Sequence, residues 1–140
     1  MMLHATWSTG PRLTRVEDVY RPGAITATMD ETLEDAARRM RDEGVSALVV
    51  LDGDRVAGIV TERDLAAAAA QHLDVAAAVL ADHLTADPVT VQLDTHLLRV
   101  AELMRELEIR HLPVIEGGEV VGMVSARDLL DLEATTLGGR

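Results

Sequence analysis

Apolar residues recur at helical spacing in two places along the chain, at Leu33, Ala36, Ala37 and Met40 and again at Leu97, Val100, Ala101 and Met104. Three-and-four spacing gathers each set on one face, so both stretches are predicted to be amphipathic helices with that face buried. Polar clusters able to start a helix stand just ahead, Asp30-Glu31-Thr32 and Asp94-Thr95-His96. Upstream, Ala24-Ile25-Thr26-Ala27 and Pro88-Val89-Thr90-Val91 are predicted as short strands. Downstream, Ala47-Leu48-Val49-Val50-Leu51 and Leu112-Pro113-Val114-Ile115 are rich in branched residues and read as strands. The turns Asp52-Gly53-Asp54 and Glu116-Gly117-Gly118 lead from them into Val56 to Val60 and Val120 to Val124, a hairpin in each case. Another helix follows, so each unit runs strand, helix, strand, strand, helix.

The repetition is ungapped. Laying Thr61 over Ser125 sets an offset of 64, which also superimposes Thr26 on Thr90, Asp30 on Asp94, Leu33 on Leu97, Met40 on Met104, Gly53 on Gly117 and Gly58 on Gly122. The phrase GIVTERDL at 58–65 returns as GMVSARDL at 122–129. Thr or Ser followed three residues later by Asp approaches a capping box, so Thr61 with Asp64 and Ser125 with Asp128 are expected at helix starts, a contribution of about 1 kcal/mol each. The expected plan is a flexible arm at 1–14, a first repeat at 15–72, a helical linker at 73–79, a second repeat at 80–132 and a C-terminal tail at 133–140. Halves of about 60 residues would each be marginal alone, which favours a shared core. The predicted fold class is therefore α+β, with two tandem β-α-β-β-α repeats packed through their sheets with pseudo-twofold symmetry.

Composition narrows the chemistry. Phe is absent and Trp7 and Tyr20 are the aromatic residues, so the core is built from Leu, Val, Ile, Ala and Met, and bases find no stacking platform. Met29, Met40, Met104 and Met123 are expected in that core, any exposed one being a candidate dimer contact. A formal charge of −11 repels polyanions, which argues against nucleic acid and anionic membranes as partners. A small anion can still bind where Arg residues and helix N-termini cluster. The chain has no Cys, hence no disulfide, thiolate metal site or Cys nucleophile. The apolar runs are too short to span a bilayer, and the N-terminal MMLHATWSTGPRL lacks the blocks of a secretory signal, so the expected location is cytoplasmic.

A strand, a helix and a hairpin ending in Gly-h-h-Thr/Ser-x-x-Asp (h an apolar residue), doubled over about residues 15–132, resembles the CBS domain pair, the regulatory module named after cystathionine beta-synthase. Val45-Ser46-Ala47-Leu48-Val49-Val50 and Ile109-Arg110-His111-Leu112-Pro113-Val114 also resemble the starts of that family's central strands. The resemblance implies two clefts between the repeats, with AMP, ADP, ATP or S-adenosylmethionine as regulatory ligand and no cofactor required. The first cleft would pair Thr61, Arg63 and Asp64 with Val89, Thr90, Ile109, Arg110, His111 and Pro113; the second would pair Ser125, Arg127 and Asp128 with Ile25, Thr26, Val45, Ser46 and Ala47. Asp64 and Asp128 would hold ribose hydroxyls, Thr61 and Ser125 with Arg110 or Arg63 would meet phosphate, and Ile25, Val45, Val89 and Ile109 would sandwich adenine. Arg110, His111 and Pro113 make the Asp64 cleft the more cationic of the two by this reading, so a phosphorylated nucleoside is expected there rather than beside Ser46 and Ala47. The resemblance further implies a homodimer formed through helices, for which twofold symmetry is suited, and a regulated protein partner of unknown identity.

The function expected from these features is a stand-alone regulatory sensor that binds an adenosine-containing nucleotide and transmits its occupancy. No G-x-S-x-G, P-loop, G-x-G-x-x-G or paired-His motif occurs, and His4, His72, His83, His96 and His111 lack ligand spacing, so the chain is not expected to be an enzyme. Two other classes remain open. One is a ligand-free scaffold or dimerisation module in which the repeated phrase only caps helices; the other is a small nucleotide-hydrolysing or metal-dependent enzyme, which would turn its ligand over.

Overall fold

A computed structural model describes residues 13–138 of the 140. The arm expected at 1–14 lies almost wholly outside the described residues. In chain order the elements are β1 (Arg21–Pro22), β2 (Thr26–Thr28), α1 (Leu33–Glu43), β3 (Ala47–Asp52), β4 (Arg55–Thr61), α2 (Glu62–Ala70), β5 (Thr85–Ala86), β6 (Val91–Gln92), α3 (Leu97–Leu107), β7 (His111–Glu116), β8 (Glu119–Ser125) and α4 (Ala126–Gly138). Short 3-10 turns at Val16–Asp18 and Leu80–Asp82 precede β1 and β5.

Helix α1 starts as the sequence suggests. The Asp35 N–H donates to the Thr32 hydroxyl at 3.1 Å and the Thr32 N–H donates to the Asp35 carboxylate at 3.0 Å, a closed capping box. Leu33, Ala36 and Met40 are buried, as are Leu97, Val100 and Met104 on α3, but Ala37 and Ala101 are exposed. The buried stripe is thus narrower than the apolar pattern, because the adjoining sheet covers only the residues at its centre.

The strands form two four-stranded sheets, ordered β2-β3-β4-β5 and β6-β7-β8-β1. β2 runs parallel to β3 and β6 to β7, while the remaining neighbours are antiparallel. The offset of 64 carries β1 onto β5, β2 onto β6, β3 onto β7 and β4 onto β8, so the two sheets are related by pseudo-twofold symmetry. Each sheet takes three strands from one repeat and its last edge strand from the segment that leads into the other.

That exchange runs deeper than the strands. The first N–H of α1 donates to the Ala78 carbonyl at 2.9 Å and the first N–H of α3 to the Thr14 carbonyl at 2.8 Å, so each helix start is capped by the other leading segment. Leu80 is buried in the core around Leu33, Leu48 and Val60, and Val16 in the core around Val100, Leu112 and Val124. Neither repeat, as written in the sequence, completes its own core.

Two glycines seat the exchanged strands. A Cβ on Gly58 would overlap the Thr85 carbonyl oxygen and come within 2.6 Å of Leu84 Cδ1; one on Gly122 would overlap the Arg21 carbonyl oxygen and come within 2.6 Å of the Tyr20 ring. The glycine that opens GIVTERDL and GMVSARDL is therefore where a foreign backbone lies against the sheet.

Three features depart from the sequence reading. The 73–79 stretch is not helical: His72 takes a left-handed backbone (φ 59°), and Asp74 accepts from the Ala76 N–H through its side chain and from Ala77 and Ala78 through its carbonyl, leaving isolated turns. Helix α4 continues through 133–138, where a tail was expected. The strands β2 and β6 begin at Thr26 and Val91, later than expected, because residues 23–25 and 87–90 are occupied in crossing from one sheet to the other.

Candidate functional site

The two crossings, the turns into β3 and β7 and the starts of α2 and α4 converge between the repeats. Together they enclose one cleft of about 840 Å³. The two clefts expected from the sequence are the two ends of this continuous space. Strand pairing sorts its walls: β1 lies on β8 and brings Arg21 to Asp128, while β5 lies on β4 and brings Thr85 beside Ile59.

Of the residues expected together with Asp64, Thr61, Arg63, Val89, Ile109, Arg110 and His111 line the cleft, and Asp64, Thr90 and Pro113 do not; Arg110 and His111 lie along β8, the Arg110 carbonyl accepting the Ala126 N–H at 2.9 Å. The Asp64 carboxylate is turned onto its own helix start, where one oxygen accepts the Thr61 N–H at 2.8 Å and the Thr61 hydroxyl at 3.3 Å. Thr90 is exposed ahead of β6, and Pro113 is fully buried within β7. Of those expected together with Asp128, Ile25, Val45, Ser46, Ala47, Ser125, Arg127 and Asp128 all line the cleft; Thr26 alone does not, its side chain being exposed on β2. Met123, expected in the core, also lines the cleft.

The capping chemistry is present in both copies and differs in detail. In the second copy the Ser125 N–H donates to the Asp128 carboxylate at 2.8 Å and the Asp128 N–H donates to the Ser125 hydroxyl at 3.3 Å. The other Asp128 oxygen faces Arg21 Nε at 3.3 Å. Asp128 is buried, with 8% of its surface exposed, whereas the Arg21 side chain is 59% exposed, so one end of the ion pair is fixed and the other reaches solvent.

His111 and Ser46 meet at the middle of the cleft. His111 Nε2 lies 2.8 Å from Ser46 Oγ, a hydrogen bond that ties the start of one central strand to the start of the other. Burial pushes the His111 pKa below its usual 6.5, Arg110 pushes the same way, and Glu62 and Asp128 oppose. A neutral imidazole there serves packing and hydrogen bonding. Among the described residues no group of three or more His, Asp or Glu side chains could hold a metal ion.

Sequence reasoning missed several lining residues, notably Arg21, Glu62, Asp87 and Glu108. The signal for finding them was the offset itself. Almost every lining residue has its symmetric counterpart on the wall, as Gly23 has Asp87, Gly44 has Glu108, Val45 has Ile109 and Ile59 has Met123.

A family model for the CBS domain matches the chain twice, over residues 16–71 and 80–134. The chain belongs to the CBS domain family. An inosine-5'-monophosphate dehydrogenase of Korarchaeum cryptofilum is 34% identical to this CBS pair over 121 residues, which are 86% of this chain and 24% of the dehydrogenase. The similarity therefore concerns about a quarter of that enzyme. Among solved structures, the CBS domain pair of protein MJ0100, in complex with 5'-methylthioadenosine and S-adenosyl-L-methionine, superimposes with a TM-score of 0.82 at 26% identity, covering 89% of this chain and 99% of that one. A hexameric CBS-CP12 protein from bloom-forming cyanobacteria superimposes with a TM-score of 0.81 at 25% identity, covering 90% of this chain and 71% of its own.

Proposed function

We propose that this CBS pair is a regulatory module that binds an adenosine-containing nucleotide (AMP, ADP, ATP or S-adenosylmethionine) in the cleft between its repeats and passes occupancy to a protein partner. The observation that carries this reading is the cleft of about 840 Å³, lined by Ile25, Val45, Val89 and Ile109 together with the starts of α2 and α4 and with Arg21, Arg63, Arg110 and Arg127. Apolar side chains suit an adenine ring, and unpaired N–H groups at a helix N-terminus suit a phosphate or carboxylate. The adenosine ligands bound by the MJ0100 pair, whose fold matches, support the same ligand class. A ligand that bridges both repeats shifts the balance between conformations by its differential affinity, which is how occupancy would reach the partner.

The module acts without catalysis in this reading, in the cytoplasm, and as a homodimer through its exposed helix faces, where Leu98 and Leu130 are 71% and 64% exposed. The hexameric CBS-CP12 protein supports assembly of such pairs in general. A second reading, a ligand-free scaffold, is favoured by one observation: both carboxylates of the repeated phrase already satisfy their own helix starts.

Thermal unfolding with AMP, ADP, ATP, S-adenosylmethionine and NAD, each against a ligand-free control, separates the two. A ligand at a hundred times its Kd stabilises by about 2.7 kcal/mol, an unmistakable rise in Tm. No rise with any compound leaves the scaffold. Conversion of ATP during long incubation with Mg2+ would instead point to an enzyme.

A further inference from the structure

The hydrogen bond between His111 Nε2 and Ser46 Oγ, 2.8 Å long, joins the two repeats across the cleft and has no symmetric copy. The offset of 64 puts Arg110 in the place of Ser46 and Ala47 in the place of His111, and an alanine has no polar side chain with which to mirror the contact. The contact also stands where both helix starts are held. The first N–H of α2 donates to the Ser46 carbonyl at 3.1 Å, and the first N–H of α4 donates to the carbonyl of Arg110, the residue before His111, at 2.9 Å. Across β8, His111 is paired with Ser125.

His111 is therefore set among charges from each element around it. Glu62 and Arg63 come from the start of α2, Arg127 and Asp128 from the start of α4, Arg110 from the entry to β7, and Arg21 from β1, where it pairs with Asp128. Burial holds the imidazole below its usual 6.5 against Glu62 and Asp128, with Arg110 pushing the same way as burial, so the ring is neutral at pH 7. Four guanidinium groups and two helix N-termini suit the surrounding space to an anion. Imidazole is the side chain whose ordinary pKa lies nearest neutrality, so His111 can change charge when an anion arrives. Ser46 lets it do so without rearrangement: a hydroxyl donates to a bare ring nitrogen and, after rotating, accepts from a protonated one.

We propose that His111 couples the cleft to pH: an anionic ligand seated among these arginines draws a proton from solvent onto His111, and the cleft favours anionic over uncharged ligands increasingly as pH falls. This rests on the adenosine reading above and adds a proton to it. The sign follows from what binding changes. A new negative charge about 6 Å from the ring, at an effective dielectric of about 20, favours the imidazolium by about a hundredfold. Covering the rest of a half-buried ring disfavours it by less than that. An uncharged ligand brings only the second effect and drives His111 the other way.

Adenosine 5'-sulfate keeps its charge between pH 7.5 and 5.5, and adenosine is its uncharged counterpart. In calorimetric titrations of the full chain the sulfate is expected to bind roughly tenfold tighter at pH 5.5 than at pH 7.5, with net proton uptake shown by buffers of different ionisation enthalpy, and adenosine to bind no tighter. His111→Gln keeps a hydrogen-bond partner for Ser46 and removes the titration, so the rise is expected to vanish. Ring nitrogen resonances of the unaltered chain read the same event directly: the His111 pKa is expected to move up when the sulfate is bound. Equal affinity for the sulfate at both pH values, a rise shared by adenosine, a rise that survives in His111→Gln, or binding of adenosine alone would overturn the coupling while leaving adenosine binding in place. Failure of both compounds to bind at either pH would remove the adenosine reading itself, and this inference with it.

Discussion

The Asp64 and Asp128 ends of the cleft share a backbone plan and differ in what is brought to it from outside. At the Asp64 end one carboxylate oxygen serves the Thr61 N–H and hydroxyl together, and the segment crossing opposite carries Thr85 and Asp87. At the Asp128 end the two oxygens are divided between the Ser125 N–H and Arg21, and the crossing segment carries Arg21 and Gly23. Within the repeated phrase the changes are few; across the cleft they alter sign of charge, side-chain size and backbone strain. A duplicated capping motif therefore fixes geometry at both ends, and the exchanged leading segment brings a different side chain to each.

The largest effects are expected where that exchange is seated. Gly122→Ala drives a methyl group into the Arg21 carbonyl and the Tyr20 ring, and Gly58→Ala drives one into the Thr85 carbonyl and the Leu84 side chain. Overpacking of this kind costs about 1–3 kcal/mol. Gly122→Ala is expected at the upper end of that range, because an aromatic ring has little room to give, and Gly58→Ala below it, because Leu84 can change rotamer. Urea unfolding of the two variants checks both size and order; two small, equal losses would show that the leading segments are not held as the sheet order implies.

A smaller effect sharpens the contrast in backbone strain. Glu108→Gly is expected to raise stability by about 1 kcal/mol and Gly44→Ala to lower it by about as much, since both positions are left-handed. Thermal unfolding measures the pair. Loss of stability in Glu108→Gly would mean that the Glu108 side chain contributes more than its backbone costs.

The smallest effect is a slope with pH. Because burial holds the His111 pKa below its usual 6.5, the unfolded chain takes up a proton before the folded one as pH falls. The contribution is fully present above about pH 6.5 and is lost as pH falls from there through the folded pKa. The carboxylates of Glu31, Asp35 and Asp42 are held below their usual values of 4.5 and 3.8, mainly by hydrogen bonds from Arg39, the Thr32 N–H and Arg41 respectively, so they weigh on stability at more acid pH. His111→Ala, which copies Ala47 of the first repeat, is expected to flatten the stability profile between pH 7 and 5.5. An unchanged slope would locate the titrating group elsewhere.

Much of this architecture was legible in the sequence because its signals are local. Leu33, Ala36 and Met40 announce a buried helix face, Thr32 and Asp35 close its start, and the glycines at 53 and 117 mark hairpins by their left-handed backbone. The exchange of leading segments was not legible. Val16 and Leu80 look like any apolar residues ahead of a repeat, and nothing nearby in sequence says that each is buried in the opposite core. The site was legible in the same proportion. Ser46, Ile109 and Arg110 could be placed by the family's strand pattern, whereas Arg21, Asp87 and Glu108 lie outside that pattern and reach the cleft wall only through the crossing segments and a helix end.

The most direct measurement of the central claim is a crystal structure of the chain grown with AMP. The expected result is one nucleotide in the cleft between the repeats, its adenine between Ile25 and Val45 and its phosphate within hydrogen-bond reach of Arg21 or Arg127. An empty cleft at saturating AMP, S-adenosylmethionine and 5'-methylthioadenosine in turn would contradict it.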